Sequence, residues 1–216
     1  KTNTGIFRTR IFSTFSSFFV LIFGYIVYGM FHIDVPAKHI AVLTKNAGKD
    51  ITNEDEVAPD ASYKGVQKEV LTEGRYFYNP YYWNWDICPM VEIPEGKMGV
   101  RVRLSGKTLP YGDFVATEED QKGIVKDVLR PGRYPINAIV KDSTGNILFD
   151  RKKNNYAEII ELHDPISIPA GFKGIVTNLA GPIPENPNTL LVEKGMRGAQ
   201  KETLDPGTYY MNPYMY

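Results

Sequence analysis

KGIVKDVLRPGRYPINAI, residues 122–139, decides the fold, because the chain writes it three times. The earlier copy is KGVQKEVLTEGRYFYNP at 64–80; the later one is RGAQKETLDPGTYYMNP at 197–213. Self-similarity at fixed offsets marks a repeated structural unit.

Working outward, each copy follows a proline that closes a short apolar run: Val35-Pro36, Ile93-Pro94 and Ile168-Pro169. Counted from those prolines, a Gly falls 12 residues on (Gly48, Gly106, Gly181) and another 29 on (Gly65, Gly123, Gly198). A Lys follows at 32 (Lys68, Lys126, Lys201) and a Leu at 35 (Leu71, Leu129, Leu204). A third Gly stands at 38 (Gly74, Gly132, Gly207), a Tyr at 40 (Tyr76, Tyr134, Tyr209) and an Asn at 43 (Asn79, Asn137, Asn212). The prolines are 58 and 75 residues apart, so 17 extra residues, around 144–161, separate the second unit from the third. Within them, residues 156–162 predict an extra strand joining modules two and three.

Each unit reads as strands. In the second, Met98, Val100, Val102 and Leu104 alternate with Gly99, Arg101 and Arg103, the period of a half-buried strand. The Gly at offset 12 ends that strand, and a variable loop follows (50–62, 108–121, 182–196). The repeated stretch then predicts a second strand, a turn at Gly74, Gly132 or Gly207, and a third strand from the shared Tyr. Pro before Gly, as in Pro131-Gly132 and Pro206-Gly207, is type II turn chemistry and predicts a hairpin with φ > 0 at each Gly.

Ahead of the repeats, residues 11–31 (IFSTFSSFFVLIFGYIVYGMF) carry no charge. A helix of that length spans roughly 31 Å, matching a hydrocarbon core of about 30 Å. The flank at 1–10 holds Lys1, Arg8 and Arg10 and no acid, which predicts a cytoplasmic N-terminus and extracytoplasmic modules. No small-x-small cleavage site follows the run, so the expectation is a retained single-pass anchor.

Composition narrows the function. Twenty-five basic residues balance twenty-five acidic ones, which gives no electrostatic case for nucleic acid. Cys88 is the only cysteine, so no intrachain disulfide forms. His32, His39 and His163 are scattered, and no phosphate loop, dinucleotide fingerprint or nucleophile elbow is present. The acidic run with Glu54, Asp55, Glu56 and Asp60 lacks calcium-loop spacing, and Arg151-Lys152-Lys153 reads as a solvated run. The expectation is a protein without catalytic residues, metal or cofactor. Residues 76–85 (YFYNPYYWNW) stand out, with Tyr76, Phe77, Tyr78, Tyr81, Tyr82, Trp83 and Trp85. Three roles remain open for this cluster: core packing, a subunit interface, or contact with the outer leaflet.

The motif Ile93-Pro94-Glu95-Gly96-Lys97-Met98-Gly99-Val100, its counterpart at 168–175, and the Leu-x-Pro-Gly-x-Tyr corners at 129–134 and 204–209 carry a resemblance. They resemble the N-terminal part of the stomatin/prohibitin/flotillin/HflK-HflC (SPFH, or band 7) family, above all flotillin-like bacterial members with an N-terminal anchor. The modules are also similar to the repeats of the major vault protein. Module one departs from the motif, with Lys38 and Ala41 where the other two have Gly, and Ala138 replaces the Pro after Asn137. The family implies a membrane-anchored scaffold that oligomerises into a ring or cage. Such a scaffold organises a membrane patch, or encloses and regulates a partner such as an AAA membrane protease, here on the periplasmic side of a bacterial inner membrane. It also implies SPFH helices and a coiled coil after residue 216, unless only the front modules are kept. No heptad run occurs within the 216 residues.

The expected fold is mainly β. A flank (1–10) and a transmembrane helix (11–31) precede three tandem small antiparallel modules at 32–92, 93–151 and 152–216, the last the start of an SPFH domain. Modules of this size bury only about 60% of their surface. Lateral cover from a large homo-oligomer is therefore expected, with like modules of neighbouring chains in contact. The competing expectation is an envelope binding module whose loops, such as 113–121, meet a glycan or peptide.

Overall fold

The computed structural model describes residues 18–51, 57–149, 156–186 and 189–216. A helix, α1, covers residues 18–31. At 1.5 Å per residue it is about 21 Å long. Among the described residues no helix is long and apolar enough to cross a membrane. Residues 11–17 of the expected span lie outside the described residues.

The first repeat supplies β1 (His32–Val35), β2 (His39–Lys45), β3 (Val57–Ala58), β4 (Gly65–Leu71), β5 (Gly74–Phe77) and β6 (Trp83–Pro89). The second supplies β7 (Val91–Ile93), β8 (Met98–Arg103), β9 (Gly123–Leu129), β10 (Gly132–Tyr134), β11 (Ala138–Lys141), β12 (Ile147–Phe149) and β13 (Glu158–His163). The third supplies β14 (Ile166–Ile168), β15 (Gly174–Asn178), β16 (Gly198–Leu204) and β17 (Gly207–Tyr209). The larger sheets have the orders β3-β4-β2-β6, β12-β11-β13-β8-β9 and β15-β16, and each module adds a two-stranded ribbon, β1-β5, β7-β10 or β14-β17. Pairing is antiparallel except for β3 with β4 and β11 with β13. A bulge recurs at one place in every module: between Val42 and Thr44, Val100 and Val102, and Ile175 and Thr177.

The expected hairpin at the shared Gly is corrected. The strands on either side of it belong to different sheets: β4 pairs with β2, and β5 pairs with β1. Its φ is positive, +146° at Gly74, +153° at Gly132 and +158° at Gly207. Those values lie far from the ~+80° that a type II turn needs. The chain instead turns a corner, and each Gly opens its new strand opposite Val35, Ile93 or Ile168.

A second correction concerns the extra residues. The strand expected at 156–162 forms as β13, but it is the counterpart of β6, not a link between modules. Arg103 faces Glu158 as Lys45 faces Trp83, and both basic residues stand nine places after their proline. The additional elements are β11 and β12, beyond β13.

The half-buried strand is also more enclosed than its alternation suggests. Ile40, Ala41, Val42 and Leu43 are all buried, as are Met98, Gly99 and Val100. Both faces of these central strands are therefore covered over that stretch. In module one Ile33, Val35, Ala41 and Leu43 form the core; in module two it is Val91, Ile93, Ala138, Val140, Ile160 and Leu162. Module three has no such cluster of its own among the described residues. The Gly at offset 12 is required by close approach: a Cβ on Gly48 would stand 2.7 Å from the carbonyl oxygen of Ser62, and one on Gly106 would overlap that of Asp120. The carbonyl is there because Lys49 N and Lys107 N bind Ser62 O and Asp120 O, at 3.0 and 2.7 Å.

Candidate functional site

Strand phase divides the aromatic stretch in two. Tyr76, Tyr78, Trp83 and Trp85 turn inward and pack on Ile33, Val35, Ala41 and Leu43. Tyr78 and Trp83 meet edge to face with centroids 5.3 Å apart. Burial, with Tyr76 and Glu69 nearby, pushes the Tyr78 phenol up. Phe77, Tyr81 and Tyr82 are exposed. Phe77 is the outward residue of β5, and Tyr81 and Tyr82 lie in the turn before β6.

Phe77 shares one end of module one with α1. Tyr78 N donates to Phe31 O at 2.9 Å, so the helix passes into β1 without a linker. His32 stacks on Tyr28 at 5.3 Å, and Phe77 lies 5.5 Å from both rings. Phe18, Phe19, Leu21, Ile22, Phe23, Ile26 and Met30 all point to solvent. A helix apolar on every side is unusual outside a protein core or a bilayer.

The seam between modules two and three is the second surface. Asn212, at the repeated Asn position, is buried and donates from Nδ2 to Val125 O and Lys126 O at 2.9 and 3.3 Å. Tyr214 donates its hydroxyl to Glu161 Oε2 at 2.5 Å. That hydrogen bond first, then burial, pushes the Tyr214 phenol up to about 12. Val115 and Ile124 of module two pack with Ala180 and Met215 of module three. Arg197 lies over the Phe114 ring at 5.0 Å and Arg130 over Tyr210 at 5.7 Å. Beside the seam opens an apolar cleft of about 570 Å³ lined by Phe114, Ile124, Leu179, Arg197 and Tyr214.

The repeated lysines do not converge. Lys68 reaches Glu119 O of module two at 3.3 Å, while Lys201 pairs with Glu193 within module three. Gly74, Gly132 and Gly207 occupy three separate corners. Cys88 is half-buried, with Sγ 3.6 Å from Ile40 O. Among the described residues no group of three His, Cys, Asp or Glu could hold a metal ion. Residues 52–56 of the acidic run and 151–153 of the basic run lie outside the described residues.

Sequence reasoning missed two features. Arg101 grips Glu158 with both Nε and Nη2, at 2.8 and 2.7 Å, and locks β8 to β13. The partners are 57 residues apart, so no local pattern pairs them. Asn212 is one of three repeated Asn residues, and the repeat alone does not distinguish its place in the seam. Comparison with protein-family models, curated proteins and solved structures finds no match.

Proposed function

We propose that this chain is a membrane-anchored, non-enzymatic scaffold of the SPFH type, whose β modules assemble side by side into a large ring or cage. The observation that carries the reading is α1: its side chains are apolar all round, and it runs straight into the first strand. With residues 11–17 the uncharged run reaches 21 residues, enough to span a bilayer. The exposed Phe77 lies at the helix end of module one, where aromatic side chains favour a headgroup layer. The N-terminus faces the cytoplasm and the modules lie on the opposite side. There they organise the surrounding bilayer or enclose a membrane protein such as an AAA protease.

Two measurements test the reading. Protease digestion of sealed vesicles should leave residues 11–31 protected and cleave the modules from the extracytoplasmic side only. The mass of particles in mild detergent should exceed many copies of the 24.4 kDa chain. Monomers, or dimers related by a simple two-fold axis, would remove the scaffold. The second reading, a binding module with apolar loop tips, would then lead, since Tyr111, Phe114, Leu190 and Leu191 are exposed in the loops of modules two and three.

A further inference from the structure

Modules one and three carry the same turn, Asn-Pro-Tyr, at residues 79–81 and 212–214. Its bonds match one for one. Tyr81 N donates to Asn79 Oδ1 at 3.0 Å, as Tyr214 N does to Asn212 Oδ1. Asn79 O accepts from Tyr82 N and Trp83 N, both at 3.0 Å, and Asn212 O from Met215 N and Tyr216 N at 2.9 and 3.1 Å. In module three this turn is a plug. Asn212 Nδ2 holds Val125 O and Lys126 O, the Tyr214 phenol holds Glu161, and Met215 is 5% exposed against Val115 and Ile124. In module one the same turn stands in solvent: Tyr81 is 76% exposed and Tyr82, the counterpart of Met215, 53%. Module two presents no such plug, because Ala138 replaces the Pro and the chain runs on as β11.

The socket that receives the plug has a copy in module one as well. In module two the recurrent bulge sets Val125, Lys126 and Asp127 opposite Arg101 alone, and the extra residues of a bulge are left off the ladder. Theirs are the carbonyls that Asn212 takes. Module one has the same bulge, with Gln67, Lys68 and Glu69 opposite Leu43. Among the described residues no side chain donates to Gln67 O or Lys68 O. An open cleft of about 260 Å³ lies beside them, with Pro59, Lys68, Val70 and Trp83 in its walls. Val42 faces Asp86 as Val100 faces Glu161, so module one also keeps a carboxylate where the Tyr214 phenol lands in module two. Module one therefore holds a plug without a socket and a socket without a plug, and both lie well inside the sequence.

We propose that the Asn79-Pro80-Tyr81-Tyr82 turn of one chain docks on module one of a second copy. Asn79 Nδ2 bridges the partner's Gln67 O and the partner's Lys68 O, the Tyr81 phenol donates to the partner's Asp86, and Tyr82 enters the cleft. The seam between modules two and three is the precedent for each of these contacts. Plug and socket are different surfaces, so the contact is head-to-tail, and its repetition closes a ring when the rotation allows. It rests on side-by-side assembly of the modules and names the surface that makes it.

The test uses the full chain in mild detergent with Cys88→Ser, so that introduced thiols stand alone. Chains with Tyr81→Cys and chains with Asp86→Cys carry different tags and are co-expressed. A short bismaleimide, about as long as the missing phenol, should join unlike chains and leave either variant on its own unjoined. Asn79→Asp keeps the oxygen that Tyr81 N needs but exchanges the Nδ2 donor for an acceptor. Added to the Tyr81→Cys chain, it should cut the cross-linked yield about tenfold or more, with the circular dichroism unchanged. The proposal is overturned if unlike chains are not joined in particles that keep their mass, and the assembly then stands on another surface. It is also overturned if like chains are joined as readily, or if Asn79→Asp leaves the yield as it was. Shielding of the Tyr81→Cys thiol from a water-soluble maleimide by vesicles but not by detergent overturns it too, because the turn then lies in the headgroup layer. Monomeric parent particles remove the assembly itself, and the proposal with it.

Discussion

The phenol of Tyr134 donates to the carbonyl of Arg130 at 2.9 Å, across the corner that Gly132 opens. Tyr209 repeats the bond to Asp205 O at 2.8 Å across Gly207. The ring lies against the glycine: a Cβ on Gly132 would sit 3.7 Å from Tyr134 Cε2. The shared Gly and Tyr therefore form one device that turns the chain from one sheet into the other. Tyr134→Phe keeps the ring and loses the bond, at an expected cost of about 1 kcal/mol. Gly132→Val adds a branched side chain at φ +153°. It should cost more than the roughly 1–2 kcal/mol of the left-handed penalty. Urea unfolding of the two variants checks both. Equal stability of Tyr134→Phe and the parent would mean that the phenol does not pin the corner.

Gly106 and Gly112 separate close approach from backbone strain. Both have positive φ, +128° and +95°. Only Gly106 has a carbonyl, that of Asp120, in the space a Cβ would fill; Gly112 has open space. Gly112→Ala should cost about 1 kcal/mol, from φ alone. Gly106→Ala should cost clearly more, because the loop base must open. Matched denaturation midpoints for the two alanine variants would refute the close-approach account.

The Arg101–Glu158 pair is largely enclosed, with side chains 24% and 10% exposed. Arg103 adds a longer contact to Glu158 at 3.9 Å. Removing one partner strands the other charge, so Glu158→Ala should lose about 3 kcal/mol. The double change Arg101→Met with Glu158→Leu should recover part of that, since Arg101 is no longer stranded, while the enclosed Arg103 still loses its carboxylate. A double variant as unstable as Glu158→Ala alone would show that the pair itself holds β8 to β13.

Tyr214 gives the pH prediction. Its folded pKa, about 12, lies above the ordinary 10.0, because the protonated phenol is the form that donates to Glu161. A raised folded pKa contributes stability fully present below pH 10 and lost as the pH rises from 10 towards 12. Absorbance titration of the tyrosines should show one phenol resisting ionisation until about pH 12. Tyr214→Phe should remove that late step and flatten the stability profile between pH 10 and 12. A parent titration with every phenol ionised by pH 11 would contradict the bond.

The amino-acid sequence by itself determined the repeat and, inside it, the central strand and the strand between the second repeated Gly and the repeated Leu. β4, β9 and β16 each begin at the second repeated Gly and end at the repeated Leu. These features are local. A positive φ at Gly132 and an alternation in β8 each act within one short stretch, so spacing reveals them. Tertiary structure alone decided which strand lies beside which. β5 leaves β4 for β1 because Gly74 takes an extended left-handed angle, and Pro-Gly spacing does not separate that angle from a tight turn. The aromatic stretch split for the same reason. Tyr76 and Trp85 face a core built by Ile33 and Leu43, while Phe77, one residue from Tyr76, falls on the opposite phase. Asn212 became a seam residue only when β9 arrived beneath it, and Arg101 found Glu158 only when β13 came alongside β8. Those partners lie tens of residues apart, and their meeting is fixed by the packing of the whole module.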